Sequence, residues 1–218
     1  MWRYMNLEGF LALICSGKLS LSRLDCLDDP WEGTWPRSIL ETRLPQKGGV
    51  SSKTGFLLDT DRLKRILFVS CWHGSAHESA ALWATYSGRA GIAIKSTIRK
   101  LKVALTDERA FHIGSVTYLD FEKDKYTPPF GTLGSVFLKR RSFEHEREIR
   151  VVRLDGKLLL EPTKSLQLDC KIPELIDKIY LSPRCDDWLV PHVKLLLDRF
   201  GFGKIPVQKS DLYAERMY

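Results

Sequence analysis

The apolar positions change period several times along the chain. Over Met1 to Tyr4, Trp2 and Tyr4 fall on one side of an extended segment, which predicts a short strand. From Leu7 to Cys15 the spacing lengthens: Leu7, Phe10, Leu11 and Ile14 share one stripe of a helix, and Gly17 stands where a left-handed residue closes it. Lys18 to Leu21 alternates again, as a half-buried strand does. Further on, Asp59 to Lys64 reads as helix and Ile66 to Cys71 as a buried strand. Glu78 to Tyr86 is a short helix, and Gly91 to Lys95 a short apolar strand. Ser96 is placed to cap a helix reaching Leu105. Ile113 to Leu119 alternates as one strand, Val136 to Arg141 suits a helix, and Glu148 to Leu154 alternates as a strand. Leu166 to Leu168, Ile179 to Leu181 and Ile205 to Gln208 are further strands, and Asp186 to Phe200 carries the clearest amphipathic pattern. The connecting stretches Asp25 to Trp35, Gln46 to Gly55 and Tyr126 to Gly134 are rich in Pro, Gly, Ser or charge and read as loops.

Strands and helices are mixed without strict alternation. That predicts an α+β fold: one domain over residues 1–218, with a twisted mixed or antiparallel sheet flanked by helices. With 44% hydrophobic and 28% charged residues in 218, the chain has the composition of a globular protein with a sizeable core. No apolar run approaches the ~20 residues that cross a bilayer, and the first residues lack the order of an export signal. The five cysteines are an odd count without a CxxC pair, so a disulfide framework and a zinc site both lack support, and the reduced cytoplasm is the expected compartment. No glycine-rich nucleotide loop and no nucleophile elbow is present. The net charge of +7 favours an anionic partner, and Lys139-Arg140-Arg141 is the densest basic run.

Four segments carry candidate chemistry. In Trp2-Arg3-Tyr4 a guanidinium lies between two aromatics, suited to a phosphate or carboxylate. Asp28-Asp29-Pro30-Trp31-Glu32 holds three carboxylates in five residues, and Asp29 before Pro30 is a capping signal at the start of a helix. Ser70-Cys71-Trp72-His73, followed by Trp83 and Tyr86, offers rings that stack a planar ligand or fill a core, with His73 as a candidate base. Glu146, Glu148 and Arg150 share one face of an extended segment, either as a carboxylate pair at a site or as an edge of salt bridges.

In this order the segments resemble a bacterial domain-of-unknown-function family, the one numbered 2971. The resemblance rests on Trp2-Arg3-Tyr4, Lys18 to Ser22, Asp28 to Glu32, Ser70 to Trp72, Trp83 to Tyr86, Gly91 to Ile94 and the Glu146-x-Glu148-x-Arg150 strand. It covers most of residues 1–155; Asp28 stands where Asn is commoner and Phe143 where Trp is expected. The order is also similar to that of ADP-ribosyltransferase-like domains. That similarity implies an NAD-consuming enzyme acting on nucleic acid or protein, such as a bacterial toxin or phage-defence effector. It implies that Arg3, on the strand with Tyr4, holds the dinucleotide and that Tyr86 or Trp83 stacks the nicotinamide. Glu148 is then the catalytic carboxylate and Glu146 positions the acceptor, roles the two could exchange. Asp29, Glu32, Trp72, His73 and Arg150 are substrate-binding or structural. The alternatives are a metal-dependent nuclease using Asp28, Asp29, Glu32, Glu146 and Glu148, and a non-catalytic nucleotide or nucleic-acid binding module.

Overall fold

The computed structural model describes residues 1–43, 60–106, 111–126, 131–159 and 163–214. The Gln46 to Gly55 loop and the first part of the Tyr126 to Gly134 loop therefore lie mostly outside the described residues. In chain order the elements are β1 (Trp2–Met5), α1 (Leu7–Ser16), β2 (Lys18–Arg23), α2 (Arg37–Arg43), α3 (residues 60–66), β3 (Leu67–His73), α4 (Ala80–Tyr86), β4 (Ile92–Lys95) and α5 (Ile98–Ala104). There follow β5 (His112–Ser115), β6 (Thr117–Leu119), β7 (Leu138–Arg140), β8 (Glu148–Leu154), β9 (Ser165–Asp169), α6 (Ile172–Leu175), β10 (Lys178–Leu181), α7 (Leu189–Arg199) and β11 (Val207–Lys209). The fold is α+β, with strands of both orientations and helices flanking them.

Contacts group the chain into two compact units, each gathered from separate stretches. The first comprises Met1–Ser20, Trp72–Arg109 and Gln167–Tyr218; the second comprises Leu21–Cys71 and Ala110–Leu166.

In the first unit β10 pairs parallel with β11 and antiparallel with β4, and β4 pairs antiparallel with β1. Tyr4 and Tyr180 both lie opposite Ala93, so the three share a row across the sheet. Strand alternation turns Trp2 to the same side as Tyr4. Leu82 and Trp83 of α4 complete this buried cluster. Helix α1 is bounded as its residues dictate: Asn6 accepts the Gly9 N–H, and Gly17 closes the end at φ +64°. At α5 the cap is Thr97, whose hydroxyl accepts the Lys100 N–H, rather than the expected Ser96. Ser96 instead donates to the Leu175 carbonyl at 2.6 Å, because its buried hydroxyl requires a partner of its own. A Cβ on Gly91 would lie 2.4 Å from the Ser87 carbonyl oxygen, so only glycine lets β4 start this close to the end of α4.

In the second unit β2 pairs with the start of β3, and β8 pairs with both β3 and β5. Leu24, Leu67, Val69, Val136, Phe137 and Val152 form its main core. A parallel pair, β6 with β7, packs Leu119 and Leu138 against Trp35, Ile39 and Phe121. Two expectations change here. The alternation from Ile113 to Leu119 is split at Val116 into β5 and β6, which join different sheets. Val136 to Arg141 is not an α-helix: a 3-10 segment ends at Phe137, and Leu138–Arg140 is strand β7. Short range pattern could not separate these states, because β7 owes its extension to β6, a partner far away in sequence.

Candidate functional site

The site residues divide between the two units. Arg3, Tyr4, Trp72, His73, Trp83 and Tyr86 belong to the first; Asp29, Glu32, Glu146, Glu148 and Arg150 belong to the second.

In the first unit the guanidinium of Arg3 donates to the Ser20 carbonyl at 3.1 Å and lies 5.8 Å from the ring centre of Trp72. The Tyr4 hydroxyl accepts the Ser79 N–H at 2.7 Å, and burial pushes its pKa up to about 12. Its ring meets Trp83 edge-on at 5.1 Å and lies 6.3 Å from that of His73. Trp83 is buried, and its indole N–H donates to Glu78 at 2.8 Å, so it is a core side chain. Tyr86, three residues on, is 44% exposed, which makes it the ring of the pair that can receive a planar ligand. Trp72 is fully buried and its indole nitrogen has no hydrogen-bond partner among the described residues.

The second unit gathers Glu32, Glu146, Glu148 and Arg150, and adds a residue that the sequence reading assigned elsewhere. In sequence Lys139 belongs to the basic run Lys139-Arg140-Arg141. It is buried, with its ammonium 2.5 Å from Glu146, 2.6 Å from Glu148 and 3.2 Å from Glu32. β7 is covered on both faces here: Leu138 is buried on one side, and alternation turns Lys139 to the other, which is buried as well. Arg140 in turn grips Asp29 at 2.6 Å, and Arg141 pairs with Asp124 at 2.7 Å. The run is thus three separately employed cations rather than one free basic patch.

Arg150 is fully buried on β8, two residues from Glu148. It donates to both Glu32 oxygens at 2.8 Å, to Glu148 at 2.7 Å and to the Val136 carbonyl at 2.7 Å. Glu32 reaches this cluster from a tight turn. Asp29 accepts the Trp31 N–H, and Gly33 takes φ +68° directly afterwards. The Asp29-Pro30 signal therefore caps a turn, and no helix starts before Arg37. The hydroxyl of Tyr118 accepts the Glu148 N–H at 2.7 Å and ties β6 to the start of β8.

Three carboxylates and two cations leave one excess negative charge if all are ionised. The surroundings divide it unequally. Burial raises Glu146, and its hydrogen bond to Glu148 adds to this, so Glu146 titrates above the ordinary carboxylate value. Burial would raise Glu148 as well. The charge of Arg150, hydrogen bonds from Glu146 and Arg150, and the charge of Lys139 outweigh it, and Glu148 lies well below the usual range. Burial and the neighbouring Glu148 raise the Cys71 thiol, which leaves it neutral.

Among the described residues no group of three or more His, Cys, Asp or Glu is arranged to hold a metal ion. The carboxylates converge on the Lys139 ammonium, and Asp29 faces Arg140.

Replacing Glu146 with Gln keeps a donor towards Glu148 and an acceptor for Lys139. A raised acid stabilises below its unfolded value, about 4.3, and that contribution is lost as pH rises through its folded value. The stability of E146Q relative to the unaltered protein should therefore increase from pH 4 to pH 7.5 in denaturant unfolding. A difference that does not vary with pH would mean that Glu146 holds no extra proton.

The extended face expected for Glu146, Glu148 and Arg150 holds only for the last two: Glu146 ends a 3-10 turn (Arg141–Glu146) and Arg147 takes φ +42° before β8 begins, so Glu146 reaches Lys139 from the turn and not from the strand. Compared with family models, curated proteins and solved structures, the chain gives no match.

Proposed function

We propose that the protein breaks the nicotinamide–ribose bond of NAD and transfers ADP-ribose to a nucleic-acid or protein acceptor. The observation that carries this reading is the buried carboxylate pair: Glu146 and Glu148 meet the Lys139 ammonium at 2.5 and 2.6 Å, and Arg150 lies 2.7 Å from Glu148, an arrangement in which burial raises Glu146 and the neighbouring cations lower Glu148. Paired acids pushed apart in this way are suited to divided roles in glycosyl transfer. As the C1′–N bond breaks, nicotinamide leaves with the bonding electrons and positive charge develops on the ribose. Glu148 supplies the facing negative charge. The acceptor attacks C1′, and Glu146, once ionised, takes the proton that the acceptor loses. A carboxylate raised above the ordinary value is a stronger base than a free one.

Glu146 is 7% and Glu148 5% exposed, so NAD reaches them only if the side chains around the pair move aside on binding.

The test is nicotinamide release from NAD in the presence of DNA, RNA or protein, with radiolabelled ADP-ribose followed into the acceptor. E148Q, checked for folding by thermal unfolding, should lower release by about 10²–10³-fold. No release by the unaltered protein with any acceptor, or release unchanged in a folded E148Q, would overturn the reading.

A further inference from the structure

The second unit also contains a two-lobed cleft between the turn around Pro30 and helix α3. Gly33 shows how closely these walls approach: a Cβ there would lie 2.6 Å from Leu24 Cδ2 and 3.3 Å from Lys64 Cγ. One lobe, about 330 Å³, is lined by Trp31, Trp35, Pro30 and Leu40, with Asp61 and Lys64 at its polar side. The other, about 290 Å³, has Asp29 and Glu32 in its lining together with Asp61, Lys64 and Arg65. Pro30, Asp61 and Lys64 line both, so the two lobes adjoin. Each falls near the lower end of the ~300–1,000 Å³ range of small-molecule pockets.

The charges decide what fits. Asp29 is answered by Arg140 at 2.6 Å, Glu32 by Arg150 at 2.8 Å, and Asp25, which also lines the second lobe, by Arg23 at 2.6 Å. Among the described residues neither Lys64 nor Arg65 has an ion-pair partner. Asp61 offsets one of these two cations, which leaves the polar lobe with a surplus positive charge. The other lobe presents indole rings, and Trp31 remains 42% exposed although Arg140 lies over its ring at 5.3 Å. A flat ring beside a cation pair calls for a ligand that is aromatic at one end and anionic at the other.

We propose that this cleft binds a nucleoside monophosphate unit. The base lies against Trp31 and Trp35, the Asp61 carboxylate accepts from its exocyclic amine, and the phosphate reaches Lys64 and Arg65. A guanidinium grips phosphate oxygens bidentately, and the Lys64 ammonium adds charge between the two lobes. The inference goes beyond the catalytic reading and needs no turnover.

Calorimetric titration with AMP, adenosine and inorganic phosphate tests it. AMP should bind at least about tenfold more tightly than either part, since both lobes contribute. W31A and a K64A/R65A double variant, both altered outside the buried cores and checked by thermal unfolding, should each weaken AMP binding by about tenfold or more. W31A should leave inorganic phosphate binding unchanged. Absence of AMP binding overturns the proposal. So does AMP binding no tighter than phosphate, or AMP binding that folded W31A retains in full. A protein that releases no nicotinamide but shows this binding pattern keeps the nucleotide cleft and loses the catalytic reading; the reverse result does the opposite.

Discussion

Replacing Arg150 with Met should cost about 3–5 kcal/mol of folding stability, seen as a lower denaturant midpoint. The guanidinium is fully buried and makes four short hydrogen bonds, three to carboxylates and one to the Val136 carbonyl. Methionine matches much of the volume, so the loss is electrostatic rather than a cavity. It leaves Glu32 without its bidentate partner and Glu148 without its nearest cation after Lys139. In thermal unfolding the same loss corresponds to roughly 2–4 °C for each kcal/mol in a chain of this size. Adding Glu32→Gln to the Arg150→Met variant should recover part of the loss, because contacting charges are not additive. A cost under about 1 kcal/mol would show that the carboxylates find other partners and that the cluster is not a single network.

Lys139→Met should have a comparable effect near neutral pH, about 3–5 kcal/mol, but with a strong pH dependence. Lys139 answers three carboxylates of the cluster, Glu32, Glu146 and Glu148. Without it only Arg150 offsets them, so the carboxylates of the folded variant are pushed above their unfolded values. A group raised in this way stabilises below its unfolded value, ~4.3, and that contribution is lost as pH rises through its folded value. The variant should therefore lie closest to the unaltered protein near pH 4 and fall progressively behind it towards pH 7.5. Denaturant unfolding at several pH values measures this directly. The same deficit at both ends would mean that Lys139 acts by packing its stem, which lies beside Phe143 with the ammonium 4.7 Å from the ring centre.

These expectations place the weight of the second unit on a polar cluster buried beside an apolar core. Such a cluster fixes geometry well, because every member is over-determined by its partners, and it is costly when one partner is removed. That is useful for the proposed chemistry. A carboxylate that must face a developing positive charge acts best when it is already oriented and dry. The same order means that the substrate must displace neighbours to reach it, and the adjoining cleft around Pro30 shares Glu32 with the cluster.

Local pattern was a good guide wherever the determinants are close in sequence. Helix α1 appears between Asn6 and Gly17 because a capping side chain and a left-handed glycine act within a few residues of the turns they terminate. Strand β8 runs over the expected Glu148 to Leu154, and α7 begins within three residues of the expected Asp186. The carboxylates were legible too: period-two spacing places Glu148 and Arg150 on one face. What pattern missed depends on distant partners. α2 carries a mixed sequence and is held through the Ile39 contact with the core around Leu119 and Phe121. β7 is extended because β6 pairs with it.

The sequence by itself determined the α+β class, the principal elements and the residue types available for chemistry, because these follow from periodicity and composition within short windows. Only the tertiary structure decided what each charged group does. It turned Lys139 from a surface cation into the centre of a carboxylate cluster, employed Arg140 and Arg141 in separate pairs, and made Trp83 core while Tyr86 stayed exposed. The physical reason is that a charge acquires its protonation state and its role from burial and from the groups that surround it. In this protein those groups come from β7 and β8 and from the turn at Asp29, which lies more than a hundred residues of chain before either strand.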